Sequence, residues 1–430
     1  MKPLSLTIRS YQVGFGDAFL LSFDYPDETS RHVLIDFGTT SLPKDAPADR
    51  MLTVAKDIAQ VCGNKLTAVV ATHRHKDHIS GFATKEDEPA SGNIIRDLKP
   101  DLVLQPWTED PELDPEATGP GAIPVNDSRM AMHVASLKGM HEVADRMREE
   151  VRRSAFLSED SRAQIAFLGD DNISNRSAVM NLRSMGPNRF LYFGQPSGLE
   201  ALLPGVETIV LGPPTADQSE KVLKQRSRDE NEFWHLRALT AHAAAERGNE
   251  AESSLFDPSH VEHAGDPYPE DARWLVYRAR KMQESQMLGI VRALDKAMNN
   301  TSLILLFRIG DKSLLFPGDA QIENWKYALE RPELCELLKQ VDVYKVGHHG
   351  SLNATPKTLW QLFAKKSPDP ETPWRMDSLM STMEGKHGSP KSKTEVPRKT
   401  LTDALREQTN LISTHEVSAD ELCVIKTIRF

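Results

Sequence analysis

The sequence predicts an α/β fold in which two mixed sheets pack face to face with helices on their outer sides, an αββα sandwich. The first observation is a series of strand patterns and one amphipathic helix within the first hundred residues. The second is the return of the same order, strands followed by helices, after Thr301. The third is a middle segment whose long charged stretches, at residues 130–156, 219–248 and 271–298, have helical rather than strand-like spacing.

Apolar and β-branched runs indicate the strands of the first part of the chain. Between residues 49 and 61 the apolar side chains recur instead at helical spacing, so this stretch is predicted as a helix. The predicted strands cover residues 5–13, 18–23, 32–36, 66–72 and 102–104.

After Thr301 two strands are joined by a turn at Gly310-Asp311. A helix is predicted at 322–338, with an interruption near Pro332. A second helix at 355–364 has Pro356 in its first turn, a position that proline favours. The predicted strands of this part cover residues 302–308, 312–316, 341–346 and 422–428.

Three segments follow from this pattern. Residues 1–106 form the first half of the fold and 299–430 the second half. Residues 107–298 are interpreted as helical elaborations inserted around a short core strand at about 206–214, with a further strand pattern at 190–193. We expect this insertion to serve as a lid, as a substrate-selecting wall, or as an interface with a protein partner or a second copy of the chain.

The composition is that of an ordinary globular protein, with 39% hydrophobic and 27% charged residues. No apolar run approaches the roughly 20 residues that span a bilayer, and no signal peptide is predicted at the N-terminus, so no membrane partner is expected. The three cysteines are scattered, which favours the reducing cytoplasm.

The net charge of −10 argues against a surface that attracts nucleic acid as a whole. A local exception lies between Lys365 and Lys399, where eight cations outnumber five anions. This segment surrounds His387, and we consider it either a basic flank of the site or a solvated loop.

The most informative motif is His73-Arg74-His75-Lys76-Asp77-His78, directly after the predicted strand 66–72. In extended backbone His73 and His75 project to the same side, and Asp77 and His78 follow where the chain must turn. The spacing therefore predicts two neighbouring divalent metals, with His73 and His75 on the first and Asp77 and His78 on the second. Such ligands suit zinc, and also manganese or iron.

His-x-His-x-Asp-His after a hydrophobic strand resembles the signature of the metallo-β-lactamase fold superfamily, which has the αββα sandwich. The C-terminal stretches resemble the branch that includes the hydrolase domain of bacterial competence proteins for DNA uptake. The segments that carry the resemblance, in order, are 13–21, 33–38, 206–214, 314–320, 343–351 and 386–390.

This resemblance implies that Asp319 bridges the two metals and that His387 supplies the final ligand of the second. His348 and His349 are implied to be catalytic beside Asp77, one as a metal ligand and the other as a proton donor to the leaving group. Which of the two faces the metals stays open.

One position departs from the superfamily, because Asn299-Asn300 stands where most members have a histidine of the first metal site. The number of metals, one or two, therefore stays open, and His260 or His263 in the insertion are candidates to fill the gap. Asp36 and Asn300 are expected behind the ligands, where Asp36 orients a metal-bound histidine. Asp17 is interpreted as a turn former.

These observations favour a metal-dependent phosphodiesterase whose partner is a nucleic acid or nucleotide substrate. The first alternative is a hydrolase of small carbon esters, lactones or thioesters, which the acidic net charge suits better. The second is a non-catalytic regulatory module on a degenerate hydrolase scaffold, which the missing first-site histidine supports.

Overall fold

A computed structural model describes residues 1–110, 176–215, 218–219, 299–351, 355–386, 395–418 and 420–430. Within these residues, two sheets and nine helices form a mixed α/β fold. The charged helices predicted at 130–156 and 271–298 lie outside the described residues, as does the one predicted at 219–248 apart from its first residue.

The first sheet combines strands from both ends of the chain. Its strands are β1 (Ser5–Tyr11), β2 (Ala18–Asp24), β3 (Ser30–Phe37), β4 (Ala68–Val70), β5 (Leu102–Pro106), β6 (Asn188–Leu191) and β13 (Cys423–Arg429). They lie in the order β13-β1-β2-β3-β4-β5-β6. Neighbours from β13 to β3 are antiparallel, and neighbours from β3 to β6 are parallel.

The second sheet is also mixed, in the order β12-β11-β10-β9-β8-β7. Its strands are β7 (Glu207–Gly212), β8 (Ile304–Ile309), β9 (Lys312–Phe316), β10 (Val343–Lys345), β11 (Asp377–Met380) and β12 (Asn410–Ser413). The strands β9 to β12 are parallel, and β7, β8 and β9 are antiparallel to one another in turn.

Apolar side chains of both sheets share one buried core. Phe19 of β2 contacts Phe316 of β9 with ring centroids 5.9 Å apart, and Phe307 of β8 contacts the same ring at 6.0 Å. Burying each such ring contributes on the order of 2–3 kcal/mol. The two sheets therefore face each other across these rings.

Helices cover the outer sides of the two sheets. The helices are α1 (Arg50–Val61), α2 (Lys76–Ile79), α3 (Ser91–Asp97), α4 (Arg176–Ser184), α5 (Leu199–Leu202), α6 (Ile322–Leu329), α7 (Pro332–Lys339), α8 (Lys357–Leu362) and α9 (Lys399–Gln408). The apolar faces of α1, α3 and α4 pack on the first sheet, and those of α6 to α9 pack on the second. None of the described helices has the length and apolarity needed to cross a membrane.

The prediction of a mixed α/β fold is confirmed. The interruption predicted near Pro332 is also present, since α6 ends at Leu329 and α7 begins at Pro332. Residues 188–191 and 207–212, which lie within the predicted insertion, supply the edge strands β6 and β7 to the two sheets. The four-residue strands β11 and β12 were not predicted.

Two glycines permit close approaches of the backbone at the carboxyl ends of the strands. A Cβ on Gly38 would lie 2.5 Å from the backbone carbonyl carbon of Asp77, and Gly318 adopts φ +55° with Thr72 Cβ 2.8 Å from its Cβ position. Larger residues would push these segments apart.

Candidate metal centre

The carboxyl ends of five parallel strands meet at one place between the sheets. β3 delivers Asp36 and β4 leads to His73, while β9 leads to Asp319, β10 to His349 and β11 to the backbone of residue 381. The strand ends are joined across the sheets, because the Leu303 amide donates to the Thr72 carbonyl at 2.9 Å. Side chains that are distant in the sequence therefore converge.

Near these strand ends, four side chains form a buried group that can hold a metal ion. The group consists of Asp77, His78, Asp319 and His349, whose candidate ligand atoms all lie within 4.8 Å of one another. His349 Nε2 is 2.8 Å from Asp77 Oδ2, and His78 Nε2 is 3.1 Å from Asp319 Oδ2. These spacings are close to the roughly 3.3 Å that separates two ligands bound at about 2.0 Å in tetrahedral geometry.

The hydrogen-bonding pattern tests whether these residues suit a cation. Asp77 Oδ1, His78 Nε2 and Asp319 Oδ2 are all buried, yet none of the three has a hydrogen-bond partner in the described part of the chain. Buried polar atoms are rarely left in this state, because an unsatisfied buried group costs about 1–3 kcal/mol. Three such atoms in one buried group of residues fit a divalent cation.

The orientation of the two imidazoles supports the same conclusion. His78 Nδ1 lies 2.8 Å from Asp36 Oδ2, and His349 Nδ1 donates to the Ser381 carbonyl at 3.0 Å. In both rings this leaves Nε2 directed at the centre. A carboxylate or carbonyl behind one ring nitrogen is the arrangement that fixes metal-ligating histidines, and Asp36, expected behind the ligands, lies behind His78.

His73 and His75 form the neighbouring half of the site. His73 Nε2 lies 3.0 Å from His75 Nδ1, and the His73 ring centroid is 4.1 Å from that of His78. Thr72 Oγ1 donates to Asp36 and lies 3.2 Å from His73 Nδ1, which connects this half to the same carboxylate. The two imidazole nitrogens can serve as a pair of ligands to one ion.

The structure distinguishes the roles of the adjacent histidines. His349 is fully buried inside the centre, whereas the His348 side chain is 25% exposed and lies at its edge. His348 Nε2 is 3.9 Å from Asp319 Oδ2, and its Nδ1 lies 2.9 Å from Ser351 Oγ. His349 can therefore act as a ligand, while His348 can reach a bound molecule.

The buried carboxylates raise the pKa values of His78 and His349. Burial alone would lower the pKa of His78, but the carboxylates of Asp319, Asp77 and Asp36 outweigh it and raise the pKa well above its ordinary value. Burial likewise would lower the pKa of His349, and Asp17 and Asp319 raise it. Protons on these rings balance the carboxylates, and a dication can replace them.

The pKa values of His73, Asp77 and Asp319 are also shifted from their ordinary values. Burial, with the neighbouring His78 and His75, lowers the pKa of His73 well below its ordinary value, so this ring is neutral. Burial would raise the pKa values of Asp77 and Asp319, but His78 outweighs it and lowers both. Neutral imidazole and ionised carboxylate are the protonation states that bind metals.

Asp17 and Lys345 are two functional candidates that the sequence reasoning missed. Asp17, interpreted as a turn former, is in fact fully buried and forms an ion pair with Lys345. Asp17 also lies 3.5 Å from His349 Nδ1 and 3.7 Å from His78 Nδ1. The only signal for Lys345 is its position four residues before His349, and nothing in the sequence connects it to Asp17.

Several predicted site residues are not brought to the centre by the described structure. His387, predicted as the final ligand of the second metal, lies outside the described residues, as do His260 and His263. His349 is within ligand distance of Asp77 without them. Asn300 is described, and its Oδ1 is buried with no hydrogen-bond partner in the described part of the chain, but no contact with the centre is recorded.

Three described cations of the basic flank predicted between Lys365 and Lys399 have partners within the protein. Lys365 pairs with Asp342 at 2.8 Å, and Arg398 pairs with Glu395 at 2.8 Å. Arg375 donates to three carbonyl oxygens at the end of α9. These cations are not available to attract a polyanion.

Comparison with known proteins adds no family to this description. No protein-family model and no curated protein matches the chain.

Proposed function

We propose that this protein is a metal-dependent hydrolase, most specifically a phosphodiesterase that acts on nucleic acid or nucleotides. Its scaffold is the αββα sandwich of the metallo-β-lactamase superfamily, which the layer order and the motif resemblance support. The observation that carries the proposal is the convergence of His78 Nε2 and His349 Nε2 on the buried carboxylates of Asp77 and Asp319, each of which has one oxygen without a hydrogen-bond partner in the described part of the chain.

In this proposal Asp77, His78, Asp319 and His349 hold one divalent ion, and His73 and His75 hold a second together with Asp319. Zinc is the first candidate for these ligands, followed by manganese or iron. The bound ions supply a water of lowered pKa and polarise the scissile group. The ligands are compatible with one ion or with two, since the part of the site formed by His73 and His75 offers fewer protein ligands.

The chain supplies the remaining steps. His348 Nε2 faces the centre and is partly exposed, so it is placed to protonate the leaving oxygen. When Ser351 Oγ–H donates to His348 Nδ1, the mobile proton is carried by Nε2. Asp36 and the Ser381 carbonyl hold the two ligand rings from behind, which keeps the centre in one geometry.

A hydrolase of small carbon esters, lactones or thioesters is a second candidate, and one observation favours it. Lys365 and Arg398 of the basic flank are paired with Asp342 and Glu395, which weakens their attraction for a polyanion, and the net charge of the chain is −10. A regulatory module is the third, supported by the missing histidine at Asn299-Asn300. The three unpaired cysteines support a cytoplasmic location in each case.

The deciding experiment combines metal content and activity. We expect untreated protein to contain one or two equivalents of a transition metal, and to hydrolyse bis-p-nitrophenyl phosphate or single-stranded DNA when zinc or manganese is supplied. The Asp319→Ala variant is the control for contaminating activity. Hydrolysis restricted to lactones or thioesters would retire the phosphodiesterase, and absence of bound metal would favour the regulatory module.

A further inference from the structure

Lys345 places a buried ammonium directly beside the candidate metal centre. Its side chain is 3% exposed, and Nζ pairs with Asp17 and lies 3.7 Å from Asp319 Oδ1. Burial would lower the pKa of Lys345, but Asp17 and Asp319 outweigh it and raise the pKa to about 12. A buried lysine is rarely kept charged without a specific partner, so this cation is a built feature of the site.

The two oxygens of Asp319 are used differently. Oδ1 accepts the His348 backbone N–H at 3.0 Å and faces Lys345 Nζ. Oδ2 faces His78 Nε2 at 3.1 Å and His349 Nε2 at 3.9 Å, and it has no hydrogen-bond partner in the described part of the chain. The carboxylate is therefore held from one side and open on the other.

We propose that Lys345, anchored by Asp17, is a positioning residue that keeps Oδ1 of Asp319 turned away from the centre. Asp319 then offers Oδ2 alone to metal, so that it binds one ion or bridges two through a single oxygen. This inference rests on the proposed metal centre and adds to it how the shared carboxylate is coordinated. Gly318 contributes to the same constraint, because its carbonyl lies 3.4 Å from Lys345 Nζ.

A purely electrostatic role for Lys345 predicts the opposite effect of its removal on metal affinity. The centre contains the buried carboxylates of Asp17, Asp36, Asp77 and Asp319. If Lys345 acted only as a nearby positive charge, its removal would reduce repulsion and tighten the binding of a dication. If it acts by positioning Asp319, its removal leaves only the His348 backbone N–H to hold Oδ1, which loosens the carboxylate and weakens binding.

The test uses the full-length chain, with Co²⁺ and Zn²⁺ as probes in competition with a chromophoric chelator. In the double variant Asp17→Asn/Lys345→Met one negative and one positive charge are lost together, so the net charge is unchanged. We expect metal affinity to fall by about 10- to 100-fold, the usual effect of removing a group behind a ligand, and the visible spectrum of the Co²⁺ form to change. The matched control is Asp342→Asn/Lys365→Met, which removes another ion pair of the same sheet at the opposite end of β10.

The single variant Lys345→Met decides the question if the double variant does not fold, as judged by circular dichroism. Weaker binding supports positioning, whereas tighter binding would overturn it. Unchanged affinity and spectrum in the folded double variant would also overturn it, while leaving the metal centre intact. If the unaltered protein binds neither ion, the proposed function and this inference fail together.

Discussion

His349 Nε2 lies 2.8 Å from Asp77 Oδ2 across the centre, although 272 positions separate the two residues in the sequence. The contact joins the turn after β4 in the first sheet to the turn after β10 in the second. It also separates His349 from His348, its neighbour in the chain, because only the first is enclosed by the centre. The difference between the two histidines leads to the first prediction.

Replacing each histidine by alanine should separate metal binding from proton transfer. We expect His349→Ala to lose bound metal, because a buried ligand is removed. His348→Ala should keep its metal but lose about 10²- to 10⁴-fold in kcat, as expected for removal of a general acid. Metal analysis and steady-state kinetics on the same preparations measure both effects.

A comparison of two leaving groups is the control for the assignment of His348 as the proton donor. A p-nitrophenolate needs little protonation, so the loss in His348→Ala should be small for p-nitrophenyl diesters and large for alkyl diesters. An equal loss for both leaving groups would show that His348 does not donate the proton. Loss of metal from His348→Ala would place it among the ligands instead.

Asp36→Asn should weaken metal binding without removing a ligand. Asp36 Oδ2 lies 2.8 Å from His78 Nδ1, and Asp36 also accepts the Thr72 backbone N–H at 2.7 Å. The neutral amide is a weaker acceptor, so the His78 ring becomes less basic and less fixed. We expect a decrease of about 10-fold or more in zinc affinity, measured by chelator competition. Zinc binding as tight as that of the unaltered protein would show that Asp36 is not needed to orient His78.

Gly318→Ala should destabilise the fold more than Gly63→Ala, although both glycines adopt φ +55°. The left-handed conformation costs a residue with a side chain about 1–2 kcal/mol at either position. The alanine at 318 would in addition meet Thr72 Cβ at 2.8 Å, whereas nothing lies within 4 Å of the position at 63. We expect the free energy of unfolding to fall by at least about 1 kcal/mol more for Gly318→Ala, measured by urea titration.

Stability should fall in mild acid because of His32, which is buried beside Ser22 away from the metal centre. Burial lowers the pKa of His32 below its ordinary value of 6.5. Between the folded and unfolded pKa values the unfolded chain binds the additional proton, so stability is complete above about pH 6.5 and decreases as the pH falls. The slope for one group is at most about 1.4 kcal/mol per pH unit.

Urea titrations at several pH values between 5 and 7 measure this effect. The His32→Gln variant is the control, because it lacks the titrating ring but keeps every other acid-sensitive group. We expect the unaltered protein to lose stability relative to this variant as the pH decreases. A constant difference across the range would mean that His32 does not contribute.

The sequence predicted the part of the site that is local in the chain. The motif from His73 to His78 is contiguous and follows an apolar strand, so spacing alone indicated ligands on a common side. The choice between His348 and His349 was not accessible in this way. It depends on the path of the backbone, which has positive φ angles at both residues, 43° and 51°, and in which the His348 N–H donates to Asp319 Oδ1.

The Asp17–Lys345 pair shows the same limit. Each residue is unremarkable in its own segment, since Asp17 follows a glycine-rich turn and Lys345 belongs to a three-residue strand. The interaction of their charges depends on the fold, because the two sheets bring Asp17 and Lys345 together in a buried environment. Likewise, the sequence could not show that Lys365 pairs with Asp342 or that Arg375 donates to carbonyl oxygens at the end of α9.

The candidate ligands are almost completely enclosed, with His73, His75, Asp77, His78, Asp319 and His349 no more than 3% exposed. An ion held in this way can exchange with its surroundings only when the structure opens locally. Exchange is therefore expected to be slower than at an exposed site, so chelator competitions must be followed until they reach equilibrium. The ion found in isolated protein will depend in part on which metals were abundant while the chain folded, so selectivity is also measured by refolding the protein in defined metal mixtures.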